Sequence, residues 1–196
     1  SKDTITTHPQ DTLTPDGPNP PIQVIDSFYL EDMTPYESNR REKYRPQIHF
    51  TPAKNWINDP NGLVWRDGVW HLCYQYNPSG NGWGNMSWGH ATSTDMVHWH
   101  IEPPCFSTSE QAWEDHQVWS PGVVERNGLY YMYYTGVNRA VCQSIGLATS
   151  TDLSHWRRVG DSPVVTPGKW GRWSLNSWSD CRDSMVFIDD DGVAYM

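Results

Sequence analysis

The chain repeats itself. His90-Ala91-Thr92-Ser93-Thr94-Asp95 returns further along as Leu147-Ala148-Thr149-Ser150-Thr151-Asp152, and His98-Trp99 returns at the same offset as His155-Trp156. Six aligned positions with a single difference do not fit two unrelated hairpins. The turn glycines keep the same rhythm, at Asp67-Gly68, Asn127-Gly128 and Asp191-Gly192. Such dipeptides between apolar runs mark tight hairpins, because the turn needs residues that tolerate positive φ. The first hairpin joins Gly62–Trp65 to Val69–Tyr76, the second Gly122–Arg126 to Leu129–Thr135, and the third Met185–Ile188 to Val193–Met196. Each unit continues with a strand ending in Ala-Thr-Ser-Thr-Asp and a fourth strand after His-Trp. No helix-length amphipathic run interrupts this pattern. Four strands repeating about every 60 residues make a blade of a β-propeller.

Met196 falls inside the third unit, whereas propellers typically close with about 4–8 blades. The expectation is therefore an all-β chain with a Pro-rich N-terminal arm over 1–47, ordered at most around Ile22 to Leu30. Residues 48–196 would form the N-terminal part of a propeller, about two and a half blades. The remainder of the same protein would complete the ring, since an open one leaves sheet edges and an apolar face bare.

Composition narrows the class of partner. Lys and Arg number 14 against 23 Asp and Glu, a net charge of −9. That balance argues against nucleic acid and against anionic membranes, and no stretch nears the roughly 20 apolar residues of a spanning helix. There are 12 Trp and 10 Tyr but only 4 Phe. Flat rings with a polar handle suit many sheet faces or a sugar-binding surface. Cys73, Cys105, Cys142 and Cys181 lack metal-ligand spacing, so a zinc site is not expected and free buried thiols are preferred over disulfides. Asn85-Met86-Ser87 is a glycosylation triplet of a kind that arises often by chance.

In a propeller the innermost strands converge at the axis, so residues at one repeat position face one another. Aligning the units superimposes Asp59, Ser120 and Asp183. Two carboxylates at one funnel are what glycoside cleavage uses. Capping of a local turn is the competing role for each Asp, common beside Pro and Gly.

The residues around Asp59 carry a resemblance. His49-Phe50-Thr51-Pro52 followed by Trp56-Ile57-Asn58-Asp59-Pro60-Asn61-Gly62 closely resembles the start of glycoside hydrolase family 32, the invertase, inulinase and levanase family. Tyr74-Gln75-Tyr76-Asn77-Pro78 and Trp83-Gly84-Asn85-Met86-Ser87-Trp88-Gly89-His90-Ala91 extend the match, which is dense over 45–100 and thinner beyond. The resemblance implies a five-bladed propeller and a retaining enzyme that releases terminal fructofuranosyl units from sucrose or fructans. It implies no cofactor and no metal. Asp59 would be the nucleophile and Asp183, in Arg182-Asp183, the transition-state stabiliser. Arg182 would orient sugar and carboxylates, and Asn58, Gln75 and Trp83 would line the fructose pocket. Trp119-Ser120 falls where the family has Phe-Ser, giving two further substrate contacts.

Two departures stand out. Ser184 replaces the proline that follows the family's Arg-Asp, and Trp119-Ser120-Pro121-Gly122 replaces Phe-Ser-Gly-Ser. The family's general acid/base Glu has no counterpart here and is expected beyond Met196. Among Glu102, Glu110, Glu114 and Glu125, Glu114 is placed nearest the funnel rim, as a substrate-contact or solvated loop residue. His98 and His155 are read as packing at a fixed blade position, and Asp189-Asp190-Asp191-Gly192 as an acidic hairpin turn. Trp170, Trp173 and Trp178 are either sugar platforms or loop packing. Alternatives to the hydrolase are a fructosyltransferase of the same fold, an inverting inulin- or arabinan-degrading relative, and a non-catalytic sugar-binding propeller. Oligomeric state stays open, and the family type leans to a place outside the cell.

Overall fold

Each tight turn bends where the sequence marks it. Asp67 and Gly68 have φ of 49° and 87°, and Asn127 and Gly128 have 55° and 80°. Positive φ at both positions matches the right-handed twist of the flanking strands. The first turn joins β1 (Trp56–Arg66) to β2 (Val69–Asn77), and the second joins β5 (Gln117–Arg126) to β6 (Leu129–Val137). Adding β3 (Ser87–Ser93) and β4 (His100–Phe106) gives a four-stranded antiparallel sheet in the order β1-β2-β3-β4. With β7 (Gln143–Ser150) and β8 (Arg157–Arg158), the second sheet repeats that order as β5-β6-β7-β8. A two-stranded hairpin, β9 (Phe187–Ile188) and β10 (Ala194–Tyr195), starts the third unit. These are successive blades of a propeller, seen in a computed structural model that describes residues 42–46, 48–167 and 181–196. The arm expected over 1–47 falls almost wholly outside the described residues, as do Trp170, Trp173 and Trp178.

The first two inner strands begin earlier than the sequence pattern predicts, at Trp56 and Gln117 rather than at Gly62 and Gly122. Proline removes a ladder donor, and Pro60 and Pro121 would be expected to end a strand. Each instead sits at an irregularity. The β1–β2 register shifts between Ile57 and Pro60, and the β5–β6 register between Trp119 and Gly122. Bulges accommodate the missing donor and re-aim side chains.

The main core lies between the two blades. Cys73, Trp88, Cys105, Phe106, Val118, Met132, Tyr134, Ala148 and Trp156 belong to one buried cluster. Covering on both faces leaves β2 buried from Leu72 through Asn77. All four cysteines are reduced; Cys73 and Cys105 are buried with their sulfurs 3.6 Å apart, and Cys142 and Cys181 are half-buried.

The repeated Ser-Thr-Asp-x-x-His-Trp segment builds the same turn twice. Ser93 Oγ accepts the Met96 amide at 2.9 Å, and Asp95 Oδ1 accepts those of Val97 and His98 at 2.9 and 2.7 Å. Ser150 and Asp152 do the same for Leu153, Ser154 and His155 at 2.8, 2.9 and 2.7 Å. The histidines keep the fixed structural place read from the sequence, though not as packing. Both are exposed, and each holds its aspartate through Nδ1 at 2.7 Å, so they clamp a turn rather than fill a core. Their tryptophans close the motif, each donating Nε1–H to a turn carbonyl at 3.1 Å. The acidic run behaves as expected, with Asp189 Oδ1 accepting the amides of Asp191 and Val193.

A second histidine pair lies inside the first blade. His71 Nδ1 and His90 Nε2 are 3.1 Å apart, and His90 is 1% exposed. Burial pushes His90 down to about 4, with a further push from His71 and an opposing pull from Asp152. Burial and Arg66 also lower His71, against Glu102 and Asp152. The unfolded chain thus takes up the proton first. The stabilisation from neutral His90 is fully present above about pH 6.5 and lost as pH falls toward 4, about 3 kcal/mol in all. Denaturant midpoints of the complete protein measured across that range should fall accordingly. His90→Gln, which keeps a hydrogen-bonding partner for His71 but cannot titrate, should flatten the curve, and an equally steep curve would refute the assignment.

Candidate active site

The bulges place Asp59 and Ser120 side by side. Ser120 Oγ donates to Asp59 Oδ2 at 3.1 Å, joining two neighbouring blades. The Ser120 hydroxyl also accepts Gln75 Nε2–H at 2.7 Å. Gln75 and Ser120 are buried, whereas Asp59 and Asn58 are exposed on β1. One line of hydrogen bonds therefore runs from the amide on β2 through the hydroxyl on β5 to the carboxylate on β1. It orients a carboxylate that stays open to a ligand.

An aromatic pair includes Trp119, the residue before Ser120 in β5. Trp83 is 59% exposed, and its ring meets that of Trp119 edge-on at a centroid distance of 6.2 Å. Trp119 is held by its indole N–H, which donates to Gln117 Oε1 at 2.6 Å. An exposed indole face such as that of Trp83 offers the apolar surface on which a sugar ring can stack.

The third unit reaches the same place through its backbone. Asp183 has a φ of 58°, a left-handed conformation that costs a non-glycine residue about 1 kcal/mol or more. Its amide donates to Thr135 Oγ1 at 3.3 Å, and Thr135 Oγ1 in turn donates to the Ser120 carbonyl at 3.4 Å. Arg182 Nε lies 3.5 Å from Asp183 Oδ2, and Arg182 Nη1 donates to Gln143 Oε1 at 3.2 Å. Of the residues singled out from sequence, Asp59, Gln75 and Ser120 are joined by hydrogen bonds. Asn58 precedes Asp59 in β1, and Trp119, which precedes Ser120 in β5, brings in Trp83. Asp183 joins the group through its backbone amide on Thr135, and Arg182 reaches Asp183 and Gln143.

The two departures from the family pattern touch each other. A Cβ added to Gly122 would stand 2.3 Å from the Ser184 carbonyl oxygen, so only glycine permits this approach of the third unit. Ser184 Oγ donates to the Tyr133 carbonyl at 2.9 Å. Proline offers no such donor. The serine thus supplies a side-chain anchor opposite a glycine.

Glu114 is not at a rim. It is 0% exposed, and its carboxylate pairs with Arg158 Nε at 2.6 Å and accepts Ser109 Oγ–H. The other glutamates considered are used elsewhere or exposed. Glu102 accepts the Thr92 hydroxyl, Glu125 the Gly128 amide, and Glu110 is exposed. Sequence reasoning missed Thr135, Gln143 and Tyr133. A signal for Thr135 existed, since it stands one repeat after Gln75, at the same position of the second strand of its blade.

Family comparison agrees with this architecture. Residues 49–196 match the model of the glycosyl hydrolases family 32 N-terminal domain, and the chain belongs to that family. It is 40% identical over 129 residues to a protein named vacuolar acid beta-fructofuranosidase 1 from a Rosa hybrid cultivar, covering 63% of this chain and 22% of that one. An extracellular exo-inulinase from Aspergillus awamori is 50% identical over 84 residues, 43% of this chain and 16% of that protein. Among solved structures, fructan 1-exohydrolase IIa from Cichorium intybus in complex with 1-kestose superimposes with a TM-score of 0.65 at 34% identity. That match covers 77% of this chain and 28% of the other. The chain spans about a fifth of the length of the curated relatives it matches.

Proposed function

We propose that the complete protein is a retaining glycosidase that releases terminal fructofuranosyl units from sucrose or fructans. Asp59 is the nucleophile. Its carboxylate attacks the anomeric C2, the glycosidic C2–O bond breaks, and the electron pair leaves with the departing oxygen. A covalent fructosyl-enzyme results, which water then opens with a second inversion and hence net retention. A carboxylic acid in a later part of the propeller supplies the proton to the leaving oxygen and takes one from water. Asp183 accepts hydrogen bonds from fructose hydroxyls as positive charge develops, and Arg182 holds its carboxylate. Asn58 and Gln75 pair with hydroxyls, and Trp83 and Trp119 form the apolar wall.

The observation that supports this reading is the placement of Asp59. It is an exposed carboxylate on an inner strand, aimed by Ser120 and Gln75 from two other strands, in a chain of a glycosidase family. Incubation of the complete protein with sucrose and with inulin should release fructose whose first-formed anomer, followed by NMR, is β. A first-formed α-anomer would overturn the covalent mechanism. Sugar binding by calorimetry without hydrolysis would leave a binding module, and accumulation of oligosaccharides at high sucrose would make the protein a fructosyltransferase.

A further inference from the structure

The polar residue on the second strand of each blade reaches the next blade. Gln75 on β2 donates to Ser120 Oγ on β5 at 2.7 Å. Thr135 occupies the repeat-equivalent place on β6, and its hydroxyl receives the Asp183 amide at 3.3 Å. Ser120 and Asp183 are themselves equivalent positions. The contact therefore recurs with the symmetry of the repeat, changed only from side chain to backbone.

Thr135 is 0% exposed in a strand otherwise made of Tyr, Met, Leu, Gly and Val. A buried hydroxyl must find partners, and both of its partners belong to the two inner segments that carry the site. The donor goes to the carbonyl of Ser120, whose own side chain holds Asp59. The acceptor takes the amide of Asp183, whose left-handed φ of 58° persists only where neighbouring structure holds it. Ser184 secures the next residue to the Tyr133 carbonyl. Asp59 and Asp183 are thus referenced to one residue, Ser120, the first directly and the second by way of the Thr135 hydroxyl.

We infer that Thr135 is a positioning residue that sets the placement of Asp183 relative to Asp59, without touching the sugar itself. The inference rests on the functional reading of Asp183 given above. Losing the hydroxyl leaves the Asp183 amide without its partner and lets the strained segment relax, and the contacts that strengthen in the transition state are lost first.

The test is a cycle in the complete protein. Thr135→Val removes the hydroxyl at nearly constant shape, and should lower kcat roughly tenfold with KM within about twofold. Thr135→Ser restores the hydroxyl and should recover most of the rate. In an Asp183→Asn background, Thr135→Val should cost little more, because the two act through one contact. Should the valine variant not fold, Thr135→Ala takes its place in the cycle. Unchanged kcat in Thr135→Val, equal losses in the valine and serine variants, or a full tenfold loss on top of Asp183→Asn would each overturn the inference. Amide hydrogen exchange at Asp183 separates this idea from the functional reading. If Asp183→Asn keeps full activity, the role of Asp183 fails, while faster exchange in Thr135→Val still supports the positioning contact and unchanged exchange sinks it.

Discussion

Asp59→Asn is expected to lower fructose release by roughly four orders of magnitude or more while the protein remains folded, as loss of the proposed nucleophile requires. The substitution is nearly isosteric. The oxygen of the new side-chain amide can still accept the Ser120 hydroxyl that now reaches Asp59 Oδ2 at 3.1 Å, so the local hydrogen bonding survives. Asp59 is exposed, and among the described residues neither core packing nor a buried ion pair depends on its charge. What disappears is the anionic oxygen that would form the bond to C2. Fructose release from sucrose, measured together with circular dichroism, is the check. Turnover within about tenfold of the unsubstituted protein would remove Asp59 from the mechanism.

A loss of stability of about 3–5 kcal/mol is expected from Arg158→Met. Arg158 joins the end of the second blade to the segment between the blades. Its Nε meets the wholly buried Glu114 carboxylate at 2.6 Å, and its Nη2 donates to the Ser107 carbonyl. Its guanidinium also lies over Phe106, 4.2 Å from the ring centroid. Removing the cation strands a carboxylate out of water, which costs far more than the intact pair contributes. Arg158→Met combined with Glu114→Leu removes both charges and should recover most of the loss. Denaturant unfolding of the two variants measures this. A loss under about 1 kcal/mol for Arg158→Met alone would show that the pair with Glu114 does not carry the stability assigned to it.

Local chemistry explains why the blades were legible in the amino-acid sequence. Asp67-Gly68 and Asn127-Gly128 can hardly form anything but a hairpin, since few other residue pairs tolerate positive φ at both positions. The repeated Ser-Thr-Asp-x-x-His-Trp segment is readable for the same reason, because every hydrogen bond of its turn lies within the motif. The inner strands were readable only in part. Pro60 and Pro121 hide the strand around them, and bulges that accommodate a proline depend on the partner strand rather than on local sequence.

The site residues divide along the same line. Asp59, Gln75, Ser120 and Asp183 could be selected from the motif and from the repeat spacing. Thr135 was marked only by its repeat spacing from Gln75, because threonine in a Tyr-rich strand is an ordinary β-former and its partners alone show what it holds. Glu114 shows the opposite failure. A Glu-Asp-His run in a loop reads as solvated, yet Arg158, far along the chain, draws its first carboxylate into the interior.

By itself the order of residues determined the architecture of repeating four-stranded blades, the turns that close them and the family to which they belong. These follow from short-range preferences and from a period that each copy of the motif obeys. Only the tertiary structure decided which side chains meet: Ser120 with Asp59, Thr135 with Asp183, and Glu114 with Arg158. Each of those contacts joins segments that are distant in sequence, and such pairing is set by how adjacent blades pack, not by the residues on either side in the chain.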